Sequence, residues 1–498
     1  MKPHFLFSLF FVLPGFGFAE PQPSYERFDI LTAASGTHSR NPDWKPGKGL
    51  ALEVSGMDWT ADGRLAVTIR KGEVWFLDKV DGDSIEDITY HRFASGLHEP
   101  LGILRDGDSF LVAQRTEITR LRDTDGDDVS DEYLTAASGW NVSGNYHAYI
   151  YGPQRDREGN LWVTTNLDMG NLANNSAPWR GWALTMNPDT SLTPQAAGMR
   201  SPSGLGANLE GDLFFSDQQG SWIPTTPIYH LRRGAFYGNP EGIAPQDLED
   251  SPLKLSAELP LKQLYPEAVK ALPELVPPAV WLPYDKMGRS ATDIQVIDQH
   301  GRFGPFDGQL LVGEFTNSSI NRVFLEKVGG EYQGACFPFL SKFPAAVFRL
   351  TFGSDGSLYV GMTNRGWSSL GSRSYGLQRV RWNGEMTFAI QEMRAEPDGF
   401  ELVFTEPVDP KTATNLDSYQ LSSYTYRYQG TYGGPEEDRK TLKIQKATMS
   451  NDGLRIHLQI EGLREMYVHE LRAEGLRNQA GGSLEHPDAY YTLNRIPE

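Results

Sequence analysis

Residues 157–165 read Arg-Glu-Gly-Asn-Leu-Trp-Val-Thr-Thr, in which an acidic residue and a glycine precede an alternating run. Leu161, Val163 and Thr165 occupy every second position of that run. A period of two residues after an acidic glycine turn is typical of a β-strand entered from a tight turn. Because the same phrase recurs along the chain, its repetition predicts the fold class.

Five further segments carry this phrase of an acidic or polar residue, a glycine and an alternating apolar strand. The six glycines of the phrase are Gly63, Gly107, Gly159, Gly211, Gly308 and Gly356. Consecutive glycines lie roughly 44 to 52 residues apart, except across the step from 211 to 308, which predicts an insertion. This spacing suits a four-stranded propeller blade, and six copies predict a six-bladed β-propeller. A seventh, degenerate blade within residues 234–289 and a sandwich of unrelated hairpins are the alternatives.

The composition favours an all-β protein, with 51 glycines, 32 prolines and no convincing long helix. We predict a propeller over residues 51–383, preceded by an N-terminal strap over residues 20–50. After it the phrase stops, and alternating strands predict a small immunoglobulin-like β-sandwich over residues 384–498. Its aromatic segment, residues 424–432, is predicted to pack on the propeller, with stacking on sugar rings as the alternative. The insertion, residues 234–289, is predicted to hold a short helix at best.

The N-terminus has the layout of a secretory signal peptide over residues 1–19. Lys2 gives a basic start, an apolar run covers residues 5–13, and the small residues Gly17 and Ala19 end the segment. No later apolar run approaches the length that a bilayer requires. We therefore expect a periplasmic or secreted protein without a membrane span.

The acidic balance bears on the class of partner. The formal net charge is -18, from 64 acidic and 46 basic residues. Such a chain repels nucleic acid and anionic lipid, so we expect no nucleic-acid partner and favour a neutral ligand, a cation or a basic partner. Cys336 is the only cysteine, which excludes an intrachain disulfide and a Cys-x-x-Cys-His haem site.

An acidic loop is a candidate calcium site. Residues 123–131 read Asp-Thr-Asp-Gly-Asp-Asp-Val-Ser-Asp and place carboxylates at positions 1, 3, 5 and 9. The candidate ligands are Asp123, Asp125, Asp127 and Asp131. The pattern is incomplete, because Asp128 stands where a glycine permits the sharp turn and Leu134 stands where a glutamate would bind. A structural calcium and a solvated acidic turn are both open.

Three loops carry residues suited to chemistry. His147 precedes the strand quoted above, and an uncharged imidazole accepts a proton near neutral pH, although a packing role is the alternative. Arg200 lies at a Pro/Gly-rich turn, where it would bind a carboxylate or a quinone-like oxygen, or close a salt bridge between blades. Residues 217–222 offer a carboxylate and carbonyls to a cation.

Taken together, residues 50–383 resemble the six-bladed propellers of the soluble glucose/sorbosone dehydrogenase family, which use pyrroloquinoline quinone (PQQ) and calcium. The resemblance rests on Tyr146-His, Gly198-Met-Arg-Ser-Pro-Ser-Gly-Leu, Gly211-Asp-Leu-Phe-Phe-Ser-Asp and Gly234-Ala-Phe-Tyr-Gly-Asn-Pro, in the family's order. Other phrases, including Arg120-Leu-Arg-Asp-Thr-Asp-Gly-Asp, more closely resemble dehydrogenase-like propellers of planctomycete and verrucomicrobial proteomes.

The resemblance implies a role for each matching residue. His147 would be the base that removes the proton of a sugar hydroxyl as hydride passes to the quinone. Arg200 would hold the developing quinone oxyanion, and the backbone carbonyls of Gly220 and Ser221 would face calcium. A base opposite a cation-polarised electron sink stabilises charge as it develops.

The chain departs from the family at two points. Ser201 stands where the family usually has an asparagine, and Arg349 is a lone arginine, shifted in register, where the family has a pair that grips the cofactor's carboxylates. Arg115, Lys286 and Arg289 are possible substitutes. The predicted cofactor-binding residues are Arg200, Ser201, Arg115 and Arg349.

The sequence therefore predicts a quinoprotein-like dehydrogenase that oxidises a sugar or related alcohol with PQQ and calcium and passes electrons to an unknown acceptor. A non-catalytic propeller that binds carbohydrate or a protein partner is the first alternative. A metal-dependent lactonase-like hydrolase is the second.

Overall fold

The computed structural model describes residues 24–30, 51–140, 142–170, 177–243 and 251–498. Within them the chain is all-β: antiparallel sheets account for the architecture, and the helices are short. This confirms the predicted all-β class. The predicted signal peptide and most of the predicted strap lie outside the described residues.

Six groups of four hydrogen-bonded strands precede residue 383. The strands are β1 (Tyr25–Asp29), β2 (Val54–Trp59), β3 (Leu65–Ile69), β4 (Glu73–Asp78), β5 (Thr89–Ser95), β6 (Gly102–Asp106), β7 (Ser109–Ala113), β8 (Ile118–Arg122), β9 (Glu132–Ala137), β10 (Ile150–Arg155), β11 (Leu161–Thr165), β12 (Trp182–Met186), β13 (Leu192–Ala197), β14 (Gly204–Ala207), β15 (Leu213–Ser216), β16 (Thr226–His230), β17 (Val280–Leu282), β18 (Ala291–Val296), β19 (Leu310–Glu314), β20 (Ser319–Val328), β21 (Glu331–Leu340), β22 (Val347–Phe352), β23 (Leu358–Thr363) and β24 (Tyr375–Trp382). They form sheets β2 to β5, β6 to β9, β10 to β13, β14 to β17, β18 to β21, and β22 to β24 with β1.

The repeated phrase marks the same place in every sheet. Its apolar run forms the second strand, which is β3, β7, β11, β15, β19 or β23, and its glycine lies in the turn from the first strand. The first strands contact one another in a closed cycle, from β2 through β6, β10, β14, β18 and β22 back to β2. A closed ring of four-stranded antiparallel sheets is the arrangement of a β-propeller.

The ring closes through the N-terminal strand. β1 pairs with β24, with Tyr25 opposite Trp382 and Asp29 opposite Gln378. The predicted strap covers residues 20–50, and its described part, residues 24–30, therefore completes the last sheet. Without β1, the edge of β24 would present unpaired backbone groups.

The insertion, residues 234–289, lies mostly between the third and fourth strands of the fourth sheet and has little regular structure among its described residues. It contains the helix α1 (Tyr265–Ala271), which agrees with the predicted short helix, and β17, the outer strand of the fourth sheet. Its described residues form no separate sheet. Single turns of 3-10 helix occur at Ile85–Asp87, Pro240–Gly242 and Leu416–Ser418.

The C-terminal part is a pair of sheets around an apolar core, to which Phe324, Ala335 and Phe337 of the fifth propeller sheet also contribute. Its elements are β25 (Ile390–Glu396), β26 (Gly399–Phe404), α2 (Pro410–Ala413), β27 (Gln420–Thr425), β28 (Glu437–Thr441), β29 (Lys443–Met449), β30 (Arg455–Glu461), β31 (Tyr467–Arg472) and β32 (Asp488–Leu493). One sheet has the order β25, β26, β30, β29, and the other has the order β32, β31, β27, β28. Because β32 also pairs with β21, the second sheet continues the fifth propeller sheet. The boundaries at residues 51–383 and 384–498 stay predictions.

Candidate functional site

A cavity of about 320 Å³ opens at one end of the ring. Most residues around it precede the first strands or follow the second strands of the third to sixth sheets, while Tyr151 lies on β10 and Tyr432 comes from the C-terminal part. It brings together three of the predicted site residues: His147, Arg200 and Ser201. Since these residues come from different sheets, closure of the ring assembles the cavity.

Hydrogen bonds fix the backbone of the loop that carries His147. Asn145 is buried, and its Oδ1 accepts the backbone N–H of His147 at 2.9 Å. Arg115 is also buried and donates to the carbonyl oxygens of Asn145 and Tyr146. It also donates to the carboxylate of Glu99 at 2.9 Å. Arg115 therefore positions the loop and does not line the cavity, so its predicted contact with a cofactor gains no support from this placement.

The half-buried imidazole of His147 is surrounded mainly by positive charge. Burial is the largest cause that lowers its pKa from the ordinary value of 6.5. The guanidinium groups of Arg200, Arg115 and Arg70 lower this pKa further. The carboxylate of Asp168 acts in the opposite direction. At neutral pH the imidazole is consequently uncharged and able to accept a proton.

A buried carboxylate at the end of β15 fixes Arg200 and Ser201. Asp217 accepts the backbone N–H of Arg200 at 2.7 Å and that of Ser201 at 2.6 Å. It also accepts the N–H of Gln218 at 2.8 Å. Burial raises the pKa of Asp217 to about 6, and these N–H donors oppose the rise. The carboxylate that the sequence offered to a cation is thus occupied by backbone donors.

The next sheet repeats this arrangement. Glu314 ends β19, is buried, and accepts the backbone N–H of Arg289 at 2.7 Å and that of Ser290 at 2.6 Å. Burial raises the pKa of Glu314, as it does for Asp217. Both arginines precede the first strand of their sheet and line the same cavity.

Of the three proposed substitutes for the missing arginine, only Arg289 lines the cavity. Its guanidinium is exposed, ion-pairs with Asp285 and lies 5.4 Å from the ring centre of Tyr284. The Nζ of Lys286 instead lies 2.7 Å from carboxylate oxygens of Glu436 and Glu470. The sequence carried a signal for Arg289 as a site residue, because the dipeptide Arg-Ser precedes both β14 and β18.

Arg349 lies outside the cavity, in a channel of about 160 Å³ along the axis of the ring. Its guanidinium donates to the backbone carbonyls of Ser55, Leu101, Ser203 and Phe348. These carbonyls belong to four different sheets or their entry loops. The predicted cofactor contact of Arg349 is therefore not supported, because these hydrogen bonds hold its guanidinium in the channel.

An apolar cluster separates the cavity from the channel. Its buried members are Leu101, Tyr149, Tyr151, Phe315, Ala346 and Phe348. Tyr149 and Tyr151 line the cavity, whereas Leu101 lines the channel. The cluster therefore forms the floor of the cavity, and a ligand in the cavity does not contact Arg349.

The two carbonyls predicted to face calcium already accept hydrogen bonds. The carbonyl of Gly220 accepts the backbone N–H groups of Ile223 at 3.1 Å and Gly433 at 3.0 Å. These two bonds use both of its lone pairs. The carbonyl of Ser221 accepts from Nδ2 of Asn239 at 3.2 Å. A calcium ion at Gly220 would have to displace protein hydrogen bonds.

The acidic loop lies away from the cavity, between β8 and β9. Asp123, Asp125 and Asp131 place carboxylate oxygens within 4.8 Å of one another. Asp127 falls outside this group, and its carboxylate accepts the backbone N–H of Val129 at 2.9 Å. Three of the four predicted ligands are thus brought together.

Asp128, which stands at position 6 of this loop in place of the usual glycine, has a structural role. Asp128 has a φ of 66°, the left-handed conformation for which such loops usually use glycine. Its carboxylate accepts two hydrogen bonds from Arg64, at 2.9 and 2.8 Å. Because Arg64 precedes β3, this ion pair joins the first and second sheets.

The C-terminal domain also contributes to the cavity. Tyr424, Tyr426 and Tyr428 are buried, as the predicted packing on the propeller requires. Tyr432 is 69% exposed, lines the cavity, and its ring centre lies 5.2 Å from the guanidinium of Arg200. The sequence predicted that the aromatic segment ending in Tyr432 packs on the propeller or stacks on sugar rings, but it did not predict this contact with Arg200, which joins residues far apart in the chain.

The cavity residues fit a flat organic anion such as PQQ. Arg200 and Arg289 provide two cations, and Tyr284, Trp367 and Tyr432 provide partly exposed aromatic rings. A calcium beside such a ligand fits less well. Across the described ranges, the one cluster of three carboxylate, imidazole or thiol ligands is the acidic loop, which is not part of the cavity.

The closed ring of sheets with a polar cavity at one end defines an all-β protein of propeller architecture. The chain belongs to the family described as "Domain of unknown function (DUF7133)", whose model matches residues 54–336, more than half of the chain. No curated protein matches the chain significantly. No described helix has the length and apolar character needed to cross a membrane.

Several solved structures are similar over most of their length. A putative oxidoreductase (glucose dehydrogenase) from Thermus thermophilus is 18% identical, with a TM-score of 0.49, covering 72% of this chain and 99% of its own. The PQQ-bound aldose sugar dehydrogenase of Streptomyces coelicolor is 14% identical, with a TM-score of 0.46 and coverages of 72% and 99%. The holo PQQ domain of pyranose dehydrogenase from Coprinopsis cinerea is 14% identical, with a TM-score of 0.45 and coverages of 72% and 98%.

Proposed function

We propose that this protein is a quinoprotein-like dehydrogenase that oxidises a hydroxyl of a sugar or related alcohol in the periplasm or outside the cell. The observation that carries the proposal is the uncharged imidazole of His147 in a cavity shared with the guanidinium groups of Arg200 and Arg289. A base beside fixed cations is suited to a reaction in which a proton leaves the substrate and negative charge develops nearby. The resemblance of residues 50–383 to soluble glucose/sorbosone dehydrogenases supports the same assignment.

Each cavity residue has a defined role in this proposal. His147 accepts the proton of the substrate hydroxyl at an imidazole nitrogen. Arg200 and Arg289 bind the anionic groups of the cofactor, and the aromatic rings of Tyr284 and Trp367 exclude water from its faces. When bound, PQQ supplies the acceptor for the substrate's hydride. An external electron acceptor then completes the turnover.

We assign calcium to the acidic loop, where its role is structural. The neighbouring carboxylates of Asp127 and Asp131 raise the pKa of Asp125, so a bound cation would relieve their repulsion. In the same proposal, the six sheets of the ring are six blades over residues 51–383, and β1 adds the outer strand of the last blade. The two C-terminal sheets are an immunoglobulin-like sandwich over residues 384–498.

A non-catalytic propeller that binds carbohydrate or a protein partner is the second candidate. The observation that favours it is the position of Arg349 in the axial channel, which leaves the cavity without the arginine pair of the family that the chain resembles. A lactonase-like hydrolase would need a metal held by side chains in the cavity. The described cavity residues do not include such a ligand set.

The test is a titration of purified protein with PQQ, with and without Ca²⁺, followed by the absorbance of the cofactor and by the melting temperature. We expect saturable PQQ binding and a rise in melting temperature, because a ligand that binds the folded state stabilises it. His147→Gln should retain PQQ binding and lose turnover of a reactive sugar by about 10²- to 10⁴-fold, the usual contribution of a general base.

Two variants separate the sites. Arg289→Met should weaken PQQ binding, since it removes one of two cations from the cavity. Asp125→Asn should abolish the Ca²⁺-dependent rise in melting temperature and leave the PQQ affinity unchanged, because the acidic loop lies outside the cavity. Absence of saturable PQQ binding, or full turnover by His147→Gln, would contradict the dehydrogenase proposal and favour the binding protein.

A further inference from the structure

The segment between β27 and β28 leaves the C-terminal domain and lies along the propeller. The backbone N–H of Tyr428 donates to the carbonyl of Gln263 at 2.9 Å, and its hydroxyl donates to the carbonyl of Gly238 at 2.7 Å. The backbone carbonyl of Tyr426 accepts from the N–H of Tyr265 at 2.8 Å. These contacts attach the segment to the insertion of the fourth sheet before the chain reaches the cavity.

The tip of the segment, residues 430–434, is attached to the loop that follows β15. Tyr432 forms a backbone bridge with Ser221, and the N–H of Gly433 donates to the carbonyl of Gly220 at 3.0 Å. Gly433 has a φ of 65°, and a Cβ there would lie 2.9 Å from the side-chain nitrogen of Gln219. A larger residue would therefore be strained, because this φ lies in the left-handed region that favours glycine.

The attachment places the ring of Tyr432 at the mouth of the cavity. The guanidinium of Arg200 lies between this ring and the backbone of Gly220. A Cβ added at Gly220 would overlap the Arg200 side chain. Within the described residues, the guanidinium of Arg200 makes one hydrogen bond, to the carbonyl of Gln219 at 3.3 Å. The ring of Tyr432 is thus one of the two walls that define where the Arg200 side chain lies.

We infer that Tyr432 is a positioning residue, through which the C-terminal domain fixes Arg200 beside His147 and takes part in selecting the ligand of the cavity. The ligand class is the one proposed above, a ring-shaped molecule with an anionic group, so the selection of ligand rests on the proposed function. The positioning of Arg200 does not rest on it, because it follows from contacts within the chain.

The test compares Tyr432→Ala, which removes the ring, with Tyr432→Phe, which retains it. The matched control is Tyr133→Ala, since Tyr133 is an exposed tyrosine on β9 outside the cavity. The first readout is the pH titration of the His147 imidazole by NMR, with its signal assigned by its loss in His147→Gln. Arg70, Arg115, Arg200 and Asp168 face this imidazole, and Arg200 is the one that Tyr432 contacts.

In Tyr432→Ala the Arg200 side chain is freed to move into solvent, so the His147 titration should shift upward towards the ordinary value. Tyr432→Phe and Tyr133→Ala should titrate as the wild type does. An unchanged His147 titration in Tyr432→Ala would overturn the positioning role, because that outcome means Arg200 keeps its place without the ring. This readout needs neither ligand nor turnover.

The second readout is the PQQ affinity of the same variants. A cation–π contact at an exposed site corresponds to an affinity change of about fivefold, so Tyr432→Ala should bind PQQ about fivefold more weakly and Tyr432→Phe as tightly as the wild type. Equal affinity in Tyr432→Ala would overturn the role in ligand selection. If the wild type binds no PQQ, the dehydrogenase proposal and this selection fail together, while the His147 titration decides the positioning role separately.

Discussion

The cavity around His147 and the axial channel around Arg349 lie on opposite sides of one apolar cluster. Each contains an arginine at the start of a sheet: Arg200 precedes β14, and Arg349 lies within β22. Arg349 donates to carbonyls of four sheets or their entry loops. Arg200 has its backbone fixed by Asp217 but makes one side-chain hydrogen bond within the described residues. The comparison teaches that an arginine is structural where backbone carbonyls accept four of its five N–H groups, and is available to a ligand where they accept only one.

The largest expected effect separates these two arginines. Arg349→Met should lower the free energy of unfolding by about 3 to 5 kcal/mol, because it leaves buried carbonyls of four sheets without donors. Arg200→Met should change stability by only about 0.5 kcal/mol and should abolish most PQQ binding. Urea unfolding and PQQ titration of both variants measure the contrast. Equal destabilisation by the two substitutions would remove the distinction between channel and cavity.

The next effect concerns the carboxylates that anchor each region. Asp217→Ala should lower the free energy of unfolding by roughly 2 to 3 kcal/mol, since three backbone N–H groups lose their acceptor. It should also weaken PQQ binding, because the backbone of Arg200 is no longer fixed. Asp293, which accepts the N–H of Leu350 at 2.8 Å in the channel, is the control. Asp293→Ala is expected to cost stability and to leave the PQQ affinity unchanged. Loss of affinity in that variant would mean that the two regions are coupled.

The smallest effect is a difference in the sign of the pH dependence. The pKa of His147 is lowered from 6.5, so the unfolded chain binds a proton before the folded protein does, and stability decreases as the pH falls below 6.5. Burial raises the pKa of Asp293, so the folded protein binds a proton first and stability increases as the pH falls towards 3.8. Relative to wild type, His147→Gln should gain stability on acidification and Asp293→Asn should lose it. Unfolding free energies measured across this pH range decide whether the two variants diverge.

The sequence predicted the sheets because the repeated phrase is local. Each copy needs only a turn and an alternating strand, and every copy forms the second strand of its sheet. It also predicted that His147, Arg200 and Ser201 belong to one site, which the structure brings together in the cavity. The role of β1 escaped prediction, because its pairing with β24 joins strands more than 300 residues apart.

The cavity residues that the sequence did not assign could not be found for one physical reason: their contacts join parts of the chain that are far apart in sequence. Arg289 is predicted only as a substitute, because nothing local shows that the entry loops of neighbouring sheets point to one cavity. Tyr432 belongs to the aromatic segment 424–432 that the sequence named. Its contact with Arg200 escapes prediction, because it depends on how the C-terminal part is placed, through the pairing of β32 with β21 and the contacts of residues 426–434. The predicted cofactor contact of Arg349 is not supported, because the spacing of a motif does not show which end of the ring a side chain enters.

The sequence by itself determined the all-β class, the repeating sheets and the presence of a histidine and an arginine in loops beside them, since alternation and turn chemistry act over a few residues. The tertiary structure alone decided which arginine faces the cavity and which one ties the sheets together. That decision depends on which backbone carbonyls lie within reach of each guanidinium, and only the closed ring and the attached C-terminal domain bring those groups together.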